Sequence, residues 1–299
     1  MSSGLALVLA GGGERAVAWE LGVLAGLADA GLELGTAELV IGTSAGALAG
    51  AHIAAGADPF DTAAAICAHP TARPDRSLNA DEPPGPAFAE AVGAWLAAAD
   101  AGHAEQRRRV GAVALEGPQG DERLVAATKR RLPAVGWSEP LTLVAIDAER
   151  GERISLRQAD GVPLERAVAA SRAIPGLRPV ISAAGRKLMD GAVGSATNAD
   201  LAAGMQRVAV VTATPAEAPP DSLFALWNAA LESERVTLER AGSELLVVQA
   251  GPEDQEAMGF DMMSGARAPE AFEAGRRSGA QALASCRQPD RWRLPRSPA

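Results

Sequence analysis

The sequence predicts an α/β protein built on a parallel sheet with helices on its faces. Two observations carry this. Strand, glycine turn and helix follow one another twice within the first 56 residues, and two more apolar strand-like runs, separated by a long helical stretch, occur late in the chain. The first strand is "LALVLA" (residues 5–10), a continuous apolar run that stops at three glycines, as a strand buried on both faces does. After it Val17, Leu21, Leu24 and Ala28 recur at helical spacing, and Gly31 fits a C-cap. "ELVI" (38–41) is the next strand, and a second helix begins around Ser44 and runs into "GALAGAHIAAG".

Residues 57–140 read as mostly helical and irregular, a helical insertion containing the Pro-rich loop 69–86 and two segments of helical composition, 87–102 and 121–132. "LTLVAID" (141–147) and "RISLRQ" (153–158) read as a hairpin, and 164–171 as a short helix. The late strands are 208–214 and 244–250, with a helix from Ser222 to about Arg240 between them. No repeat or linker interrupts the pattern, so residues 1–286 are expected to form one domain, followed by a basic tail, 287–299.

Of 299 residues 47% are apolar, enough for a sizeable core, but aromatics are 3% and Tyr is absent, so that core must be built from Ala, Val, Leu and Ile. A net charge of −9 argues against nucleic acid as a partner. The basic cluster Arg287, Arg291, Arg293 and Arg296 around Trp292 reads first as a frayed polar tail and second as a transient membrane-surface contact. Cys67 and Cys286 make no disulfide framework and are expected to be free thiols in a reducing, cytoplasmic setting. The N-terminus lacks the basic region of a signal peptide, and no run of ~20 lipid-compatible residues suggests a membrane span.

"GTSAG" (Gly42, Thr43, Ser44, Ala45, Gly46) matches the G-x-S-x-G elbow, in which only small residues two before and two after the serine fit the sharp turn from strand to helix. The match alone is weak, and Ser44 could equally cap a helix. Its position after one expected strand and before one expected helix favours a nucleophile. Such a serine needs a base. The histidines are His52, His69 and His103, and none follows position 103, so the order Ser, acid, His cannot be assembled. His52 lies about two helical turns from Ser44, more than ~10 Å from the elbow. Asp190, in "RKLMDGAVG", is a candidate base: Gly191 permits a turn of positive φ beside its carboxylate, although Asp-Gly is also an ordinary turn. The loop "LAGGGERAVAW" can hold an anion on its backbone N–H groups. It reads as a dinucleotide phosphate loop or as an oxyanion hole around Gly12 and Gly13. The first reading needs an acidic residue ending the second strand, and Glu33 and Glu38 both precede that strand's apolar stretch. Arg15 would anchor the loop or an acidic headgroup.

Taken together, "GGGERA", "GTSAG", "ASRAIPGLRPV" (170–180) and "DGA" (190–192), in this order, resemble the patatin-like phospholipase family of bacterial serine acyl hydrolases. The resemblance implies a three-layer α/β/α sandwich with a mostly parallel sheet, and a Ser-Asp dyad without histidine. Ser44 would attack an ester carbonyl, Asp190 would take its proton, and the backbone of Gly11, Gly12 and Gly13 would form the oxyanion hole, with Arg15, Gly42, Gly46 and Gly191 supporting these motifs. The implied substrate is a phospholipid or other fatty-acyl ester, its chain held in a pocket or under a lid formed by 57–140. No metal or cofactor is implied. Acyl transfer, hydrolysis of a small ester, and non-catalytic lipid binding on the same fold are the alternatives. The chain departs from the family pattern at Ala16, where the loop often ends in Gly, and at Leu177 and Arg178, where many relatives carry an aromatic between the two prolines.

Overall fold

Strand β1 (Leu5–Leu9) is buried along its whole length and lies at the centre of an eight-stranded sheet. The computed structural model describes residues 4–68, 86–97, 103–259, 261–286 and 288–292. β1 pairs in parallel with β2 (Leu39–Thr43) on one edge and with β7 (Arg207–Pro215) on the other. The parallel ladder extends from β2 to β3 (Leu141–Asp147) and from β7 to β8 (Glu244–Ala250). β4 (Arg153–Leu156), β5 (Ile181–Ala183) and β6 (Arg186–Asp190) add an antiparallel margin around β3, so the sheet is mixed, in the order β5-β6-β3-β2-β1-β7-β8 with β4 on β3.

Alternation along β1 sorts the core into two layers. Leu5, Leu7 and Leu9 pack with helices α1 (Glu14–Asp29), α2 (Ala45–Ala54), α7 (Leu164–Ser171) and α10 (Ala268–Ala284). Ala6 and Val8 face the other way, against α8 (Leu223–Arg240) and the short turn at Ala199–Ala202. The result is the expected three-layer α/β/α arrangement. α1 ends as its sequence suggests: Gly31 has φ of 92°, and the N–H groups of Gly31 and Leu32 reach back to Ala28 and Leu27. Ser222 caps α8, its Oγ accepting from the Ala225 N–H.

The described part of 57–140 is mostly helical, with irregular stretches at 117–121 and 130–140: α3 (Pro59–Ala68), α4 (Pro86–Ala97), α5 (His103–Glu116) and α6 (Glu122–Lys129). Helices α9 (Pro252–Met258), α10 and α11 (Pro289–Trp292) are the last helices among the described residues. α10 crosses α1 with the two backbones in contact. A Cβ at Gly22 or Gly26 would lie 2.0 or 1.9 Å from a carbonyl of α10, and one at Gly275 or Gly279 would lie 2.1 or 2.2 Å from a carbonyl of α1. Trp292 is fully buried, so the tryptophan of the basic cluster belongs to the core and is not free to meet a membrane surface. Cys286 is a free thiol. The side chain of Cys67, with His69, most of the Pro-rich loop, Arg287 and the tail from Arg293 on, lies outside the described residues.

Candidate active site

Sheet register brings Ser44 and Asp190 together. β2 covers the first part of β3, its last residue Thr43 standing opposite Val144. β6 runs antiparallel along the end of β3, with Asp190 opposite Ala145. The C-terminal ends of β2 and β6 therefore meet at adjacent positions of β3, and Ser44 Oγ donates to Asp190 Oδ2 at 2.7 Å.

Ser44 has φ of 52° and ψ of −108°, a conformation rarely adopted by a residue with a side chain, which costs about 1–3 kcal/mol. Close packing maintains it. A Cβ on Gly42 would lie 2.7 Å from the Gly46 carbonyl, and one on Gly46 would lie 2.1 Å from that of Leu9, so both glycines of the elbow are required for space. The Ser44 N–H donates to Ser171 Oγ at the end of α7 (2.9 Å). Ser171 belongs to the "ASRAIPG" segment, and its part in holding the elbow has no local sequence signal.

Asp190 Oδ1 accepts from the Ala192 N–H at 2.8 Å, and the Asp190 N–H is fixed to the Ala173 carbonyl. The carboxyl is buried, and that burial pushes its pKa up to about 6; the hydrogen bonds from Ala192 and Ser44 and the nearby Arg178 and Arg172 recover only part of the rise. Gly191 is needed for a reason other than the one its sequence suggests. It is not among the residues of positive φ; instead a Cβ there would lie 2.2 Å from the Val144 carbonyl. Asn198, fully buried with φ of 52°, ties the two strand ends together, its Nδ2 donating to Thr43 Oγ1 (3.2 Å) and to the Gly191 carbonyl (3.2 Å).

The glycine loop leaves β1 beside the elbow. The Gly11 N–H is committed to the Ala196 carbonyl at 2.8 Å, and a Cβ on Gly11 would come 3.3 Å from Ser44 Cβ. Gly11 therefore has no N–H to offer an oxyanion, contrary to the sequence-based expectation for it. Among the described residues the N–H groups of Gly12 and Gly13 have no acceptor, and both residues line the cavity that holds Ser44. Gly13, with φ of 80°, passes so near Met262 that a Cβ would lie 2.0 Å from its carbonyl. Ala16 is accommodated: α1 starts at Glu14 and buries it completely.

Behind the loop is a buried ion cluster. The Glu14 carboxylate takes Arg172, Arg131 (2.9 Å) and Arg178 (3.2 Å). Burial alone would raise Glu14, but the three guanidinium groups overcome it and hold its pKa at about 2. Arg172 follows Ser171, so this cluster joins the start of α1 to the segment that holds the elbow. Arg15 is also buried, with its guanidinium on the Gly259 carbonyl and on Gln255 Oε1 (3.1 Å); it anchors the loop to α9 and does not line the cavity. His52 is engaged elsewhere, its Nε2 2.7 Å from the Arg131 carbonyl, and burial lowers its pKa.

The cavity beside Ser44 and Asp190 has a volume of about 330 Å³ and an apolar lining. Helices α4 and α5 give it Phe88, Trp95 and Val110. Much of the wall comes from elsewhere, including Leu177, Trp227 and Met262.

The patatin-like phospholipase family profile matches residues 7–203, more than half of the chain, and the chain belongs to that family, one of lipid acyl hydrolases. No match is found among curated proteins. Among solved structures the chain is similar to VipD from Legionella pneumophila at 14% identity and a TM-score of 0.41; the similarity covers 94% of this chain and 66% of that one. No helix among the described residues is long and apolar enough to cross a membrane.

Proposed function

We propose that this chain hydrolyses fatty-acyl esters, phospholipids among them, through a Ser44–Asp190 dyad and an acyl-enzyme. The observation that carries the reading is the 2.7 Å bond from Ser44 Oγ to Asp190 Oδ2, made at a strained elbow that opens on an apolar cavity. As Oγ attacks the ester carbonyl carbon, its proton passes to the Asp190 carboxylate. The carbonyl oxygen gathers negative charge against the N–H groups of Gly12 and Gly13. The C–O bond to the alcohol breaks, and the leaving oxygen takes the proton from Asp190. Water then adds to the acyl-serine, giving its proton to the same carboxylate, and Ser44 recovers a proton as the acid departs. A carboxylate whose acidity lies near pH 6 suits both directions of transfer.

Labelling with a fluorophosphonate tests the nucleophile. The protein should be labelled and Ser44→Ala should not; labelling that survives in Ser44→Ala assigns the reaction to another residue.

A further inference from the structure

The dyad is assembled from two strand ends that do not pair with each other. β2 and β6 each pair with β3, so the ends of two separate ladders must be matched to within one hydrogen bond. We propose that Asn198 is a positioning residue for the dyad: its buried amide clamps the residue before the nucleophile to the residue after the base, and Arg153 and Glu234 hold that clamp in place. The inference rests on the Ser44–Asp190 reading of the site.

Asn198 Nδ2 reaches both strand ends, donating to Thr43 Oγ1 and to the Gly191 carbonyl at 3.2 Å each, and also to the Ser195 carbonyl at 2.9 Å. Thr43 directly precedes Ser44, and Gly191 directly follows Asp190. The amide can face only one way. Its Oδ1 accepts from Arg153 Nη1 at 3.3 Å, and a guanidinium has donors only, so the NH₂ side must turn to the strand ends. Arg153 is fixed in turn by a two-pronged ion pair with Asp200, at 2.7 and 2.6 Å. α8 braces the backbone from another side. Glu234 Oε2 accepts from Thr197 Oγ1 at 2.5 Å and from the Ala199 N–H at 2.9 Å, the residues on either side of Asn198. Asn198 itself is left-handed, with φ of 52° and ψ of 34°, a conformation that asparagine tolerates. The bracing meets a specific demand. Ser44 is strained, and a strained residue persists only where its surroundings over-determine it. A displacement of about 1 Å in a reacting group can cost about 10²-fold in rate.

Asn198→Gly tests the amide alone, because glycine keeps the left-handed backbone and removes the side chain. On a short nitrophenyl ester its kcat should fall by about 10- to 100-fold, while KM changes by less than about twofold. Fluorophosphonate labelling should slow in proportion yet still run to completion, as expected of a misplaced nucleophile in a folded enzyme. The acid limb of kcat/KM should move to higher pH, because Asp190 loses the Ser44 hydrogen bond that lowers its pKa. Arg153→Met should give a smaller fall in kcat, about three- to tenfold, and Arg153→Lys, which keeps a donor for Oδ1, should recover most of it. A wild-type kcat and labelling rate in Asn198→Gly overturn the proposal. A deficit confined to KM, or to the labelling end point and hence to the amount of folded protein, overturns it too. Should Asn198→Gly fail to fold, the Arg153 pair decides: a Lys variant no faster than the Met variant overturns the clamp. A wild type that neither turns over nor labels overturns the dyad reading and the inference with it.

Discussion

Asp190 and Glu14 are both buried carboxylates, one closing β6 and the other opening α1, and their acidities have moved in opposite directions. Burial pushes both up. For Asp190 that push prevails and leaves the pKa at about 6. For Glu14 three arginines reverse it and leave about 2. Arg172 and Arg178 act on both groups, but they are ion-paired to Glu14, whereas Asp190 receives its direct hydrogen bonds from a hydroxyl and a backbone N–H. The difference teaches that burial does not choose a carboxylate's role in this protein. Direct contact with cations does: without them the group can exchange a proton near neutrality, and with three of them it is a fixed ion.

The largest expected effect breaks the Asp190 half. Asn at 190 can accept from the Ala192 N–H and donate to Ser44 Oγ, so Asp190→Asn should fold, but an amide takes up no proton. Its kcat/KM should fall by about 10³-fold, and near-normal turnover would reject the dyad. In the wild type kcat/KM should rise with pH through about 6 as Asp190 ionises. Stability should move the other way. A carboxyl raised from 3.8 to about 6 favours the folded state while protonated, and that contribution is lost as pH rises through this window, about 3 kcal/mol in all. Urea unfolding between pH 4 and 7 should therefore show a decline in the wild type that is reduced in Asp190→Asn. An equal decline in both would place the titration elsewhere.

Glu14→Gln breaks the other half. It keeps the size and an acceptor but leaves Arg172, 5% exposed in its side chain, without its ion-pair partner in the core. The expected loss is about 3–5 kcal/mol near neutrality, read as a lower urea midpoint. The contribution of Glu14 to the wild type is fully present above its ordinary 4.5 and is lost as pH falls through about 2, so this deficit should shrink progressively as pH falls from about 4.5 to about 2. The acid limb of the pH–rate profile should stay near 6. A loss below about 1 kcal/mol would mean that the cluster is ornamental.

These two carboxylates also mark how much of the molecule the sequence disclosed. Ser44 and Asp190 stood out as candidates because GTSAG and DGA occur in order with two further motifs, and their side chains do meet; the strands were legible as apolar runs between glycines. Glu14 and Arg172 were not, because they meet across 158 residues and neither has a local signature. α10 was overlooked for a different reason: Gly275, Gly279, Ala271 and Ala274 form much of its buried face, so close backbone contact replaces the large apolar stripe that marks a core helix. The matched pairs Gly22/Gly26 and Gly275/Gly279 were the available clue. Gly11 was expected as an oxyanion donor only because the family resemblance implied it, and the Ala196 carbonyl, which takes its N–H, distinguishes it from Gly12 and Gly13. Trp292 was hidden by its basic neighbours, which suggested a tail.

The smallest effect tests the comparison most finely, because Arg178 acts on both carboxylates. It donates to Glu14 Oε1 at 3.2 Å and to the Arg172 carbonyl at 3.2 Å, and its charge also lowers Asp190. In Arg178→Met, Glu14 keeps Arg172 and Arg131, so the fold should lose only about 1–2 kcal/mol, the scale of one charge-assisted hydrogen bond. Asp190 loses one of its two stabilising cations, so the acid limb of kcat/KM should move to higher pH, while the rate well above the limb changes by less than about threefold. Arg178→Lys retains a cation and should return the limb toward its original position without restoring the full hydrogen bonding. A limb that stays put in Arg178→Met, or moves to lower pH, would show that the charge of Arg178 serves Glu14 alone. An upward move would mean that the arginine standing where many relatives carry an aromatic tunes the base as well as bracing the loop.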